Sequence, residues 1–372
     1  MVQGETGEPK VSTKQRENSE PGRRFQPLRQ PSVAVVGLGY WGPNLLRVLA
    51  ERTDVDVRWV CDQDPARLER AARRYPNVSP TLELDDVLND PDVDGVLLAT
   101  PVFTHYELAR RCLEAGKHTF VEKPLASCSA DASALISLAL EREVALMAGH
   151  TFLYSPPVRT IGELIQTGEL GEVYFISSSR VNLGLHQRDV SVIWDLGPHD
   201  FSILMHWLGG PPTTIRATGR DSIVPGIVDV AFVSMEFPSG VIANVELSWL
   251  APSKLRRTVI VASKKMVVYE DGAAEAVRIF DRGVEYKDPE TFGEYHLSYR
   301  TGDILSPQLS SDEPLALQSA EFIRMMAAGA APDHSLALAS DVVRLAEAAE
   351  ESLLQGGAQI EVGEGTFAHA AD

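Results

Sequence analysis

The chain has 372 residues, 44% hydrophobic and 23% charged, enough for two domains with cores of their own. A formal net charge of -18 argues against nucleic acid as a partner, because a polyanion would be repelled. Cys61, Cys112 and Cys128 form no C-x-x-C, and no apolar run approaches membrane-spanning length, so the expectation is a reduced, cytoplasmic protein with no membrane partner.

Residues 1–31 are rich in Glu, Gln, Pro, Gly, Ser, Lys and Arg and poor in large apolar side chains, a composition that buries too little surface to fold. Arg23-Arg24 is not followed by the apolar stretch of an export signal. A disordered leader is expected.

Val33–Val36 is a short continuous apolar run, as in a buried parallel strand. It ends in Gly37-Leu38-Gly39-Tyr40-Trp41-Gly42, a G-x-G-x-x-G. Asn44–Ala50 follows with helical spacing, and Pro43 suits a first turn. Strand, glycine loop and helix are the context in which this motif binds a dinucleotide. Gly37 allows the turn, Gly39 admits the pyrophosphate, and Gly42 lets helix and strand pack closely. The helix N-terminus then offers free N–H groups to phosphate.

A second strand is read over Val55–Cys61, ending at Asp62. An acidic side chain about 20 residues past the glycines accepts from the adenosine ribose hydroxyls and repels a 2′-phosphate, so NAD is preferred to NADP. The alternative is an Asp that opens a turn; Arg67, one helical turn on, softens the preference.

Further elements alternate. Helices are expected at Ala66–Tyr75, His105–Ala115 and Ser129–Arg142, with a short amphipathic piece at Leu84–Leu88. Strands are expected at Asp94–Ala99, His118–Val121 and Val144–Met147. This is a β-α-β-α series, hence a mostly parallel, doubly wound sheet over 32–150. From Gly171 the pattern changes to strands expected to be antiparallel: Glu172–Val181, Thr214–Gly219, Val228–Phe237, Val241–Leu250, Thr258–Ala262, Met266–Glu270 and Ala276–Phe280. Helices close the chain near Pro314–Ala328 and Leu336–Leu354. The fold class is therefore α/β, with a second α+β domain over 151–364 built on a large, open, mainly antiparallel sheet, and a tail at 365–372. An open sheet needs a cover, and a homodimer or homotetramer is the expected one.

Several groups of residues are candidates for chemistry. Ala99-Thr100-Pro101 with His105, and Glu122-Lys123-Pro124, both follow buried strands at the edge where such sheets bind ligands. Lys123 is either a solvated lysine or a cation at the nicotinamide end that binds a substrate hydroxyl. In the segment from Trp194 to Asp200 (WDLGPHD), Asp195 and His199 are four apart and near an expected helix start that Pro198 suits. A nearby carboxylate would favour a protonated His199 and fix its tautomer. The alternative is a capping Asp beside an unrelated surface His. Arg180 and Asn182, at the end of a strand, are expected to face the same crevice. Tyr154 and His186 are weaker candidates. Arg256 and Arg257 would bind a diphosphate or carboxylate, or else form a solvated hairpin.

The segments GLGYWG, ATPxxxH, EKP and DxGxH, in this order and spacing, resemble the Gfo/Idh/MocA oxidoreductases over about 33–361. The resemblance implies a Rossmann domain, an α/β domain whose open sheet mediates oligomerisation, and hydride transfer between a sugar-like carbinol and a nicotinamide. It implies that Lys123 binds the reacting hydroxyl, that His199 is the acid/base and that Asp195 assists it. It implies that Gly37, Gly39, Tyr40, Trp41 and Gly42 hold the pyrophosphate, and that Thr100, Pro101, His105 and Glu122 wall the nicotinamide ribose. Asp189–Trp194 departs from the glycine-rich run of many members, and VIWDLGPHD is more similar to the sugar-nucleotide branch. The alternatives are a free-sugar or inositol dehydrogenase, a lyase that recycles its NAD, and a non-catalytic dinucleotide-binding regulator.

Overall fold

A computed structural model describes residue 1 and residues 30–184, 186–187, 190–286, 297–328 and 333–363. Apart from residues 1, 30 and 31, the expected leader and tail lie outside these residues, as does Asp189. Everything below concerns one unit, Pro31–Asp372.

The first half alternates as its hydrophobic pattern requires. It runs β1 (Ser32–Val36), α1 (Gly42–Ala50), β2 (Asp56–Cys61), α2 (Pro65–Arg74), β3 (Ser79–Thr81) and α3 (Leu84–Asn89). It continues β4 (Gly95–Leu98), α4 (His105–Glu114), β5 (His118–Glu122), α5 (Ser129–Glu141) and β6 (Leu146–Gly149). The six strands pair in the order β3-β2-β1-β4-β5-β6, all parallel. The winding reverses between β1 and β4, which is where such sheets open a ligand crevice. Strand β1 is apolar from Val33 to Val36 because both faces are covered. Val33 and Val35 pack with Leu45 and Leu49 of α1, while Ala34 and Val36 join the cluster on the other face.

The second half runs α6 (Pro156–Gln166), β7 (Val173–Leu183), α7 (Val192–Leu208), β8 (Thr214–Arg220), β9 (Val230–Glu236), β10 (Ile242–Ser248) and β11 (Leu250–Ala262). Next come β12 (Met266–Glu270), β13 (Val277–Tyr286), β14 (Leu297–Leu305), α8 (Pro314–Ala328), α9 (Asp333–Leu354) and β15 (Ile360–Glu361). The nine strands pair in the order β14-β13-β12-β11-β7-β10-β9-β8-β15.

Several expectations are corrected here. One pair, β7–β10, is parallel within the otherwise antiparallel sheet; β8, β9 and the long α7 intervene, so no hairpin sets that pairing. Helix α7 begins at Val192, six residues before Pro198, which therefore sits inside the helix rather than in its first turn. Strand β3 (Ser-Pro-Thr) is short and Pro-containing, as an edge strand can be, and was not anticipated. Nor were α6, β14 and β15, and β11 is longer than expected.

Two helices join the halves. Helix α8 lays Leu315, Phe322 and Ile323 on the β1 side of the parallel sheet, where the Phe322 ring meets Phe120 edge-on at 5.8 Å. Helix α9 puts Val342, Val343 and Ala346 into the cluster that runs from the parallel sheet to the nine-stranded one. Glu350 of α9 accepts from Ser191 Oγ at 2.9 Å and from Trp194 Nε1 at 2.6 Å, fixing the start of α7. Along β7, Ile176, Ser178 and Arg180 are buried while the alternate Phe175 and Ser177 are exposed, so one face of the large sheet packs on helices and the other is open.

Candidate active site

The glycine loop has the shape a dinucleotide needs. Gly37 has φ +87°, and a Cβ there would lie 2.7 Å from Ala99 O. A Cβ on Gly42 would lie 1.8 Å from Gly37 O, so helix and loop touch through bare backbone. Beside Gly39 a Cβ would meet nothing within 4 Å, leaving room for a pyrophosphate. Tyr40 and Trp41 are exposed, packed edge to face at 5.5 Å, and no side chain caps α1. Asp62 is buried at the end of β2. One carboxylate oxygen accepts from Leu38 N at 2.6 Å and the other from Asp64 N at 2.8 Å, while Arg67 lies 3.4 Å away. Asp62 therefore braces the loop itself, and these residues fit NAD.

Four strand ends converge on the crevice. After β4, Thr100 Oγ1 accepts from Thr104 Oγ1 at 2.7 Å, and Pro101 is exposed. The His105 ring is fully buried and spans two loops, with Nδ1 2.8 Å from Pro124 O and Nε2 2.9 Å from Thr100 O. After β5, Glu122 is buried with Oε1 unpartnered, and burial pushes its carboxyl up to about 7. After β6 comes His150, buried, with neither ring nitrogen partnered; burial and then the Lys123 charge push its imidazole down to about 4.

Lys123 meets the other half of the molecule. Its ammonium donates to Asp195 O at 2.6 Å and lies 3.6 Å from Asp195 Oδ1. Asp195 Oδ2 accepts from Trp249 Nε1 at 2.9 Å. The expected pairing of Asp195 with His199 is not made, because Lys123 and Trp249 engage the carboxylate. His199 is half-buried, its Nδ1 is buried without a partner, and its ring meets Phe152 edge-on at 5.1 Å. Burial, then the charges of Lys123, Arg180 and Arg256, hold its imidazole well below the usual 6.5. The expectation of a carboxylate-supported, protonated His199 is thereby reversed.

The nine-stranded sheet supplies the back wall. Arg180 is buried, its Nε donates to Asp200, and its guanidinium lies 4.6 Å over the Phe152 ring. Asn182 lies on the same face of β7, its Oδ1 buried and unpartnered. Arg256 also reaches Phe152, at 5.5 Å. Arg257 lies on the other face of β11 and is exposed, so only one of the two expected arginines faces the crevice. The His186 ring lies 5.2 Å from Trp249, tilted 58° to it, and Trp249 in turn donates to Asp195. Tyr154 packs with the α1–α8 cluster and under Arg159, not with Lys123.

His150, Phe152, Asp200 and Trp249 were given no role by the sequence. His150 had a usable signal, since it directly follows a buried strand just as Lys123 does. The other three are brought in by packing between the halves, which no local pattern announces.

The family described as "Oxidoreductase family, NAD-binding Rossmann fold" matches residues 32–150, and the GFO/IDH/MocA C-terminal domain matches 158–268. A dTDP-3,4-didehydro-2,6-dideoxy-alpha-D-glucose 3-reductase of Saccharopolyspora spinosa is 26% identical over 228 residues, 59% of this chain and 68% of that protein. A scyllo-inositol 2-dehydrogenase (NAD(+)) of Bacillus subtilis (strain 168) is 28% identical over 235 residues, 60% of this chain and 68% of that protein. The crystal structure of GenD2 from gentamicin A biosynthesis, in complex with NAD, superposes with a TM-score of 0.76 at 26% identity, covering 90% of this chain and 97% of that one. Across four curated relatives the chain spans 60–68% of their length.

Proposed function

The chain belongs to the Gfo/Idh/MocA oxidoreductase family, and from that premise we propose that it oxidises a carbinol of a sugar, carried as a nucleotide sugar, to the ketone with NAD, or reduces the ketone with NADH. The observation that carries the reading is the meeting of Lys123, from the parallel sheet, with Asp195 of α7, one helical turn from His199. Residues 32–150 bind the cofactor and 151–364 the substrate.

Bound NAD supplies the nicotinamide that exchanges hydride with the substrate carbon. Gly37, Gly39, Tyr40, Trp41 and Gly42 hold its pyrophosphate, and Asp62 its adenosine ribose. Thr100, Pro101, His105, Glu122 and Lys123 form the wall at the nicotinamide end.

Lys123 orients the reacting hydroxyl and favours its oxyanion by charge. His199, kept neutral, accepts the hydroxyl proton in oxidation and returns it in reduction. Asp195 holds the lysine through one carboxylate oxygen and Trp249 through the other. Arg180 and Asn182 border the sugar. The open sheet face exposes Phe175, Phe232 and Tyr299, and we propose that a second copy covers it in a homodimer or homotetramer. Among the described residues no helix is long and apolar enough to cross a membrane, and cytoplasmic residence is part of the proposal.

The test offers NAD with nucleotide sugars, free aldoses and inositols, and follows reduced nicotinamide. Turnover confined to a nucleotide sugar supports the reading; turnover of a free sugar or inositol moves the chain to another branch with the same site.

A further inference from the structure

Arg180 and Arg256 are directly opposed across the antiparallel pair β7–β11. Side chains in such a pair share one face and stand within about 5.5 Å at Cβ, where like charges repel. Both guanidiniums lie against one ring, Phe152, and that ring touches His199. Each arginine has a carboxylate neighbour, but neither is used up. Arg180 donates Nε to Asp200, whose other oxygen accepts from Ser178 Oγ at 2.7 Å, and Arg180 Nη1 is left buried with no partner. Arg256 donates Nη1 to Asp271 at 2.8 Å and keeps about a third of its side chain exposed. In a chain of net charge -18, this crevice gathers Lys123, Arg180 and Arg256 around one histidine.

A buried guanidinium N–H without a partner is costly, and a second cation directly opposite raises the cost. An oxyanion between the two arginines removes both penalties, and its planar or tetrahedral oxygens match the guanidinium fork. We propose that Arg180 and Arg256 form an oxyanion site, so that the sugar substrate carries a carboxylate or phosphate beside the carbinol presented to Lys123 and His199. This rests on the sugar-oxidoreductase reading and narrows its substrate class to anionic sugars.

The test is calorimetric titration of the NAD-loaded protein with UDP-glucuronate, UDP-glucose and UDP, repeated for Arg256→Gln and Arg256→Lys. Arg256 is partly exposed, so its variants keep the fold, which circular dichroism checks; Arg180→Lys is a second variant. A ring carboxylate as the anion predicts UDP-glucuronate at least tenfold tighter than UDP-glucose, with the gap closed by Arg256→Gln and partly restored by Arg256→Lys. A phosphate as the anion predicts that all three ligands bind and that all weaken at least tenfold in Arg256→Gln. Unchanged affinities in Arg256→Gln, or no binding of any of the three, overturn the oxyanion site. Anion binding without reduced nicotinamide keeps the oxyanion site and counts against the function reading instead, so the two failures are told apart.

Discussion

Lys123 Nζ donates to the main-chain oxygen of Asp195 at 2.6 Å, across 72 residues of sequence and between the two sheets. The contact ties the end of β5 to the first turn of α7, and the reacting groups are set by that tie. Lys123→Met and His199→Asn are each expected to lower turnover by roughly 10²–10⁴ while leaving the NAD dissociation constant within a few-fold. Single-turnover rates and NAD fluorescence titrations separate the two quantities.

The pH dependence follows from the cations around His199. Its imidazole sits well below 6.5, so it remains an unprotonated acceptor on the acid side of neutrality. The acid limb of kcat/KM for sugar oxidation is expected below pH 6.5, because that parameter reports the free enzyme. Removing one lowering charge by Arg256→Gln moves the limb to higher pH. A limb that moves down, or stays put, contradicts this electrostatic account.

Glu122 has the opposite linkage. Its buried carboxyl is raised from 4.5 to about 7, so the folded state holds a proton that the unfolded chain has released. That contribution to stability is complete below about pH 4.5 and is lost as pH rises through about 7. The size is on the order of 3 kcal/mol across that window. Urea unfolding of wild type and Glu122→Gln is expected to give a stability difference that shifts in favour of the variant between these pH values and is level outside them.

The glycine loop offers a paired test. Gly42→Ala places a methyl 1.8 Å from Gly37 O and is expected to lower the melting temperature as well as NAD affinity. Gly39→Ala meets no atom within 4 Å, so it keeps the melting temperature of the apo protein while weakening NAD binding. Equal NAD affinity in Gly39→Ala and wild type would remove the pyrophosphate role from this loop.

Much of this arrangement is written locally. Val33–Val36 and the glycines after it specify a strand, a tight turn and a helix within a dozen residues. Lys123 stands out because it ends a buried run. The parallel β7–β10 pair is different: its strands are brought together from distant sequence under α7, not by any turn. The start of α7 at Val192 was hidden because Pro198 is the stronger local signal, yet tertiary contacts from Trp194 and Ser191 to Glu350 hold the earlier turns helical. The state of His199 is not legible locally for a related reason. Spacing places Asp195 beside it, but Lys123 and Trp249 arrive from elsewhere and engage the carboxylate.

The most direct measurement is the rate of NAD reduction by wild type, Lys123→Met and His199→Asn with the same nucleotide sugars. The account predicts turnover by wild type, and a loss of roughly 10²–10⁴ in each variant with NAD still bound. Near-normal turnover in both variants, or tight NAD binding with no oxidation of any nucleotide sugar, would contradict it.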